Sequence, residues 1–397
     1  MKILVLNCGS SSIKFQLVDM TDEKVLMKGV YERVGTPQAF LTVKVDGEKI
    51  KLEESALNHI EGIEVIFKQL LNEKYGKLNS LEELDAIGHR VVHGGEKFAS
   101  SVLITDEVKQ AIEECTVLSP LHNPAGLNGI IACQKVAPNI PNVGVFDTAF
   151  HQTMDKKAYM YNIPYEYYEK YGIRKYGFHG TSHRYIAQRV KELVGDDKAK
   201  KIISCHIGQG ASICAVKDGK SIETSMGLTP LAGIPMGTRS GDIDPSIITY
   251  IANKENLTLD EVDNILNKKS GVLGLSGISS DFRDVEQAAS ENNSRAILAL
   301  ESNVYQTAKF VSSYFAVLNG ADVIAFAGGV GENGKETRSA ICEYLKYAGV
   351  EIDETLNDVK GEERKISTPN SKVEVWIIPT NEEIMIARDA KDIVEKL

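Results

Sequence analysis

The stretch VLNCGSSSIKFQLVD, Val5 to Asp19, runs from apolar residues through Asn7, Gly9 and three serines into a second alternating run. This spacing predicts strand, tight polar turn and strand within the first twenty residues. A tip of glycine and small hydroxyls gives up side-chain packing and leaves backbone N–H groups bare, which suits an anion. Gly, Ser and Asn also favour turns for local reasons, so an ordinary hairpin stays open at this point. The pattern returns in KIISCHIGQGASICAVKDGKSIETS, residues 201–225, where a Gly-rich turn and an Asp-Gly turn separate three strands. A shift of 199 residues lays Gly9 on Gly208 and Leu17 on Val216. The expectation is a duplicated α/β protein in which each lobe opens with a hairpin whose tip points into a shared cleft, with coincidence between common hairpins as the alternative.

Working outward, KVLMKGVYERV and AFLTVKVDGEKIKL extend the first hairpin into a meander with a turn at Asp46 and Gly47. Helical spacing at 59–73 and 106–118 brackets the strand-like AIGHRVVHG, and NVGVFDTAF closes the first lobe. In the second half, helical stretches lead to DVIAFA and GGVGENG. The expected lobes are 1–148 with a C-terminal helix at 385–397, and 149–384. With 397 residues, 43% hydrophobic and 25% charged, the chain reads as soluble, globular and two-lobed. It has no run of the length a membrane span requires and no signal-peptide pattern, which points to the cytoplasm. Six scattered cysteines without a C-x-x-C pair fit a reduced compartment and no structural zinc. A net charge of −10 argues against nucleic-acid or anionic-membrane partners, so any phosphate must be met by a few focused cations.

Several polar constellations interrupt these elements. GHRVVHGGE places Arg90 in an apolar strand, where it requires a carboxylate or phosphate partner; an internal salt bridge is the plain reading. His122 precedes Asn123-Pro124 at a helix start, and Asp147 ends a strand. His179 and His183 stand four apart but lack the glutamate of the helical zinc pair, so His179 better suits a donor to a phosphoryl oxygen. MGTRSGDIDPS sets Arg239 in a Gly-flanked loop, and Glu382 and Glu383 open the last helix. Gly329, Gly331 and Gly334, with Glu351 further on, satisfy the dinucleotide fingerprint, yet too little chain follows for a Rossmann domain.

NCGSSSIKF, GHRVVHGGE, PLHNP, FDTAFH, YGFHGTSH, HIGQGASICAV, ETSMGLTPLAGIPMGTRSGDIDP, SGISSDFRD, GGVGEN and PTNEE resemble, in order and over nearly the whole chain, the motifs of the acetokinase family. The resemblance implies the two-lobed fold shared by acetate and sugar kinases, Hsp70 and actin, acting as a homodimer. It implies reversible phosphoryl transfer between ATP and acetate, giving ADP and acetyl phosphate, with magnesium or alternatively manganese. Carried across, Asn7 and Glu382 resemble metal-site residues, and Lys14, with Ser10 and Ser12 of the tip, faces the nucleotide phosphates. Arg90 and Arg239 resemble the pair that holds the carboxylate and the transferring group, His179 a transition-state stabiliser, Asp147 the catalytic carboxylate and His122 a second active-site histidine. His206, Ile207, Gly208, Gln209 and Gly210, then Asp281, Phe282 and Arg283, then Gly329, Val330, Gly331, Glu332 and Asn333 match three ATP-binding segments. Val92, Leu121, Phe178 and Pro230 resemble a pocket for the acetate methyl. Gln209 stands where most members have Asn. A propionate or butyrate kinase of the same family, or a non-enzymatic actin- or Hsp70-like nucleotide clamp, is the alternative.

Overall fold

The computed structural model describes residues 1–120 and 122–397. The chain divides into unit 1, Met1–Phe150 with Asn381–Leu397, and unit 2, His151–Thr380. The second boundary lies four residues before the expected one because the last helix begins at Glu382 and its whole length goes with unit 1.

Unit 1 holds a sheet of β1 (Lys2–Cys8), β2 (Ser12–Asp19), β3 (Lys24–Glu32), β4 (Phe40–Val45), β5 (Glu48–Leu52), β6 (Ala86–Val91), β7 (Val102–Leu103) and β8 (Asn142–Phe146), in the order β5-β4-β3-β2-β1-β6-β8-β7. β1 to β5 form an antiparallel meander, and β6 and β8 run parallel to β1. Alternation decides what each face does. Ile13, Phe15, Leu17, Met27, Tyr31, Leu41 and Val43 point inward against Ile63, Ile66, Phe67 and Leu70 of helix His59–Leu70, forming the core. At the β4–β5 turn Asp46 and Gly47 both have positive φ, 50° and 84°, as a two-residue hairpin of matching twist requires.

On the opposite face, helix Glu382–Val394 packs on β1, β6 and β8 and buries Ile384, Met385, Ile386, Ala387 and Ala390. A side chain at Gly88 would meet Ile386 Cγ2 at 2.6 Å, so glycine sets how closely this helix approaches.

Unit 2 holds β9 (Lys201–Ile207), β10 (Ala211–Lys217), β11 (Lys220–Thr224), β12 (Val323–Ala327), β13 (Arg364–Lys365) and β14 (Glu374–Ile377), in the order β11-β10-β9-β12-β14-β13. Strand for strand, this matches β3-β2-β1-β6-β8-β7 in both order and sense. The duplication expected from two hairpins thus extends over six strands. The register corrects one detail. Leu4 pairs with Leu17, and its equivalent Ile203 pairs with Ala215, so Leu17 corresponds to Ala215 and not to Val216. The cause is the tip: the Cys8–Ile13 pair encloses Gly9 to Ser12, whereas the Ile207–Ala211 pair encloses only Gly208 to Gly210.

β12 lies inside its sheet between β9 and β14, so Gly329, Gly331 and Gly334 follow a central strand of the unit that also carries the 206–210 turn. All six cysteines are free and buried. Among the described residues no helix is long and apolar enough to cross a membrane.

Candidate functional site

In unit 1 the polar groups gather where β1, β6 and β8 end and the last helix begins. Asp147 directly follows β8, and its backbone N–H is held by the Val91 carbonyl at 2.9 Å. Its carboxylate is 1% exposed and accepts two bonds from Arg90, from Nε at 3.0 Å and from Nη2 at 2.7 Å. Glu382 Oε2 lies 3.8 Å from the same Nε. Arg90 therefore faces two carboxylates, and Nη1 makes no hydrogen bond within the described residues. Burial, assisted by the neighbouring Asp147 and Glu383 charges, pushes the Glu382 carboxyl up to about 7, although Arg90 pulls the other way. A carboxylate so placed is poorly compensated and gains from a further cation.

His122 precedes helix Asn123–Val136 with Pro124 in its first turn, as the sequence suggests. Asn123 is buried and holds His93: its Oδ1 accepts from the His93 N–H and its Nδ2 donates to the His93 carbonyl. Val92 is half-buried just after β6. Leu121 lies outside the described residues. Asn7 and Lys14 are cross-strand partners at the hairpin end, with Ser12 opening β2 and Ser10 exposed in the tip.

In unit 2 His179 sits immediately before helix Gly180–Val194 in the left-handed region, φ 56°, a conformation uncommon for a side chain with a Cβ. Its ring stacks on His206 with centroids 4.3 Å apart. Imidazoles and hydroxyls alternate behind it. His179 Nδ1 pairs with Ser212 Oγ at 2.9 Å, Ser212 with His183 Nε2 at 2.7 Å, and His183 Nδ1 with Ser204 at 2.8 Å. His206 Nδ1 pairs with Ser182, which also meets Thr380. Burial, with two histidines nearby, holds His183 well below its ordinary range, so it is neutral and bridges two hydroxyls. The i, i+4 histidines thus join a hydroxyl network, and among the described residues no three His, Cys, Asp or Glu converge on a common point.

Arg239 has no such compensation. Its hydrogen bonds go from Nη1 to the Pro230 carbonyl at 3.2 Å and to Met236 Sδ at 3.5 Å, and among the described residues no carboxylate lies within ion-pair reach. Burial alone lowers its pKa. A side chain at Gly210 would lie 3.5 Å from Arg239 Nη1 and 3.4 Å from His179 Nε2, so glycine keeps open the space beside both.

The three expected nucleotide segments meet unevenly. A Cβ on Gly208 would come within 3.6 Å of the Gly329 nitrogen, so the 206–210 turn adjoins the short helix Gly328–Asn333. Gln209 spends its side-chain amide on the Ser280 carbonyl, 2.9 Å away, while its own carbonyl accepts from the Gly237 N–H at 3.1 Å. Glu332 braces its turn internally, accepting from the Gly328 and Thr380 N–H groups, and Asn333 donates to the Gly329 carbonyl. Phe282 is buried in a core cluster against which Val330 packs. Asp281 caps helix Phe282–Ser290 and binds the exposed Arg283. Ile207 and Gly331 are buried, as is Phe178, while Pro230 is half-buried.

Sequence reasoning missed Ser182, Ser204, Ser212 and Thr380. The available signal was alternation: Ser204 and His206 fall on one face of β9, with Ser212 paired opposite His206.

The sequence profile of the Acetokinase family matches residues 2–388. A curated acetate kinase of Desulfitobacterium hafniense (strain DSM 10664 / DCB-2) is 58% identical over 398 residues, covering both chains in full. Among solved structures, the acetate kinase of Porphyromonas gingivalis aligns with a TM-score of 0.95 at 48% identity over 99% of each chain. A propionate kinase from Francisella tularensis subsp. tularensis SCHU S4 aligns at 0.93 and 44%, also over 99% of each.

Proposed function

Because the chain belongs to the acetokinase family, we propose that it is an acetate kinase, a phosphotransferase with a carboxyl acceptor that moves the γ-phosphoryl group of ATP reversibly onto acetate. The observation that supports this reading is Arg239, a half-buried guanidinium with no carboxylate partner among the described residues, beside His179 and the open space over Gly210. Such a cation is satisfied by an anionic ligand.

Acetate is ionised at neutral pH, since carboxylic acids titrate near pH 4. No general base is needed to make the nucleophile. The barrier lies in bringing two anions together and holding a loose transition state in line. Arg239 and His179 are the groups suited to neutralise the transferring oxygens, and Arg90, with Nη1 still unspent among the described residues, is suited to the acceptor carboxylate. Asp147 acts through Arg90: two hydrogen bonds fix the plane of the guanidinium. Ser212 and His183 hold the His179 ring in one orientation. His206 to Gly210 and Gly329 to Asn333 offer backbone N–H groups to the nucleotide phosphates, with Lys14, Ser10 and Ser12 from the unit 1 tip. His122 and Val92 belong to the acceptor side, with Phe178 and Pro230 bounding the methyl group.

Magnesium fits the unit 1 groups: Asn7 and the poorly compensated Glu382 supply hard oxygen donors, and this ion commonly takes one or two carboxylates and completes its shell with water and phosphates. When bound it would screen the nucleotide's charge. The reading further includes a homodimer in the cytoplasm.

Purified protein, incubated with ATP, magnesium and acetate, propionate or butyrate in turn and trapped with hydroxylamine, tests the reading. Acetyl hydroxamate should dominate. A preference for propionate would move the chain to the activity named for the Francisella relative, and no hydroxamate with any acid would end the assignment.

A further inference from the structure

The outer face of the unit 1 sheet carries a row of lysines that the proposed reaction, Lys14 apart, leaves unused. Gln16, Lys28, Lys44 and Lys49 are successive cross-strand partners from β2 to β5. Beside them runs the row Asn7, Lys14, Val30, Thr42 and Lys51. Like charges directly opposite one another across a ladder are destabilising, so three adjacent lysines weaken the sheet unless an anion lies over them. Lys51 has Glu53 at 3.4 Å. Lys14, Lys28, Lys44 and Lys49 have no carboxylate within ion-pair reach among the described residues. The whole chain carries −10, so this basic face stands against the background charge and does not follow from it.

The lysines surround a real space. Helix Glu382–Val394 packs mainly on β1, β6 and β8 and reaches β2 only marginally. There a cavity of about 150 Å³ is lined by Val5, Val30, Lys14, Lys28, Lys44 and Glu383, among others. Its volume falls below the roughly 300–1,000 Å³ of pockets for drug-sized ligands. Three lysines in the lining suit a compact anion of two phosphate groups.

We infer that this cavity binds a small, multiply charged oxyanion of the phosphate or pyrophosphate class, held by Lys28 and Lys44, with Lys14 as the wall shared with the reaction site. The lysine stems and the two valines pack against the anion's flanks while three ammonium groups meet its oxygens. Glu383 faces the same space, so a monovalent anion gains less there than a multivalent one. Lys14, with Asn7 of the same lining, belongs also to the proposed reaction site, so the inference rests in part on that reading, whereas Lys28 and Lys44 have no place in it.

The test is calorimetric titration of inorganic pyrophosphate, without nucleotide or metal, into wild type, K28Q/K44Q and R239A. The binding event assigned to the cavity should persist in R239A, whatever second event at Arg239 is lost, and should weaken about tenfold or more in K28Q/K44Q, as expected for the loss of two charge-assisted hydrogen bonds. Affinity should fall with added salt. K44Q alone, expected in between, serves should the double variant fail to fold. In parallel, acetate phosphorylation by K28Q/K44Q should stay within about twofold of wild type, as for exposed substitutions generally. No binding by wild type, unchanged affinity in K28Q/K44Q, or loss of binding confined to R239A overturns the site. So does loss of turnover in K28Q/K44Q, which would place these lysines in the reaction itself.

Discussion

Arg90 and Arg239 should fail in different ways when each is cut to alanine. Among the described residues Arg239 hydrogen-bonds to a carbonyl and a thioether and to no carboxylate, so its removal strands no charge. Losing one preorganised donor to a transition state costs about 10²–10³ in kcat, or roughly 2.7–4 kcal/mol, with Tm unmoved. Arg90, in contrast, is the partner of an Asp147 that is 1% exposed, and it also faces Glu382. Deleting it leaves both carboxylates uncompensated, and breaking a buried pair from one side costs about 3–5 kcal/mol of stability. For a unit of this size that lowers Tm by roughly 6–20 °C. Replacing Asp147 with Asn in the Arg90→Ala background should recover part of that loss and none of the turnover. The assay pairs thermal unfolding with steady-state hydroxamate kinetics on the three variants. Equal Tm losses in Arg90→Ala and Arg239→Ala, or wild-type kcat in Arg239→Ala, would refute the distinction between a compensated and an uncompensated arginine.

Gln209 and Gly237 should prove coupled: a Cβ at 237 would sit 2.0 Å from Gln209 Oε1, so Gly237→Ala should lower kcat, and adding Gln209→Ala should restore much of it. Additive losses would show that Gln209 acts elsewhere. Gln209→Asn alone should keep activity within about tenfold, since one neutral hydrogen bond is worth roughly a kcal/mol. For acyl choice, a methylene in an apolar pocket discriminates by about 1–3 kcal/mol, so Val92→Ala should raise kcat/KM for propionate relative to acetate; an unchanged ratio removes Val92 from the pocket. The buried His89, bonded to Asn142 at 2.6 Å, is pushed down to about 4 by burial, so the unfolded chain takes up its proton first as pH falls. Its contribution is therefore present above about pH 6.5 and lost between there and pH 4. Urea midpoints measured across that range should fall less steeply in His89→Gln than in wild type, and parallel curves would reject the argument.

Much of this was legible in the sequence because the informative patterns are local. Alternation placed both hairpins, and positive-φ turn residues marked their connections. The one-residue difference between the tips was not legible, since Gly9 and Gly208 align whichever strand absorbs it. In the site, residue types in ordered motifs pointed to Arg90, His179 and Arg239. What they touch depended on tertiary pairing: Arg90 meets an aspartate 57 positions away, and His183 meets hydroxyls on two different strands. The same distance from local pattern explains Gln209, whose amide answers to Ser280 on another loop.

The helix that covers β1, β6 and β8 has a consequence for synthesis on the ribosome. Unit 1 is translated first, yet its last structural element follows the whole of His151–Thr380. At about 5–20 residues per second, the strand face that will receive Ile384 and Ile386 waits roughly 10–50 s for them after residue 150 is made. During that interval the nascent chain offers an apolar sheet face to chaperones or to other chains, while unit 2 can already close on itself. A nascent chain stalled just before Asn381 should therefore yield a protease-resistant second unit beside a first one that is still open to cleavage.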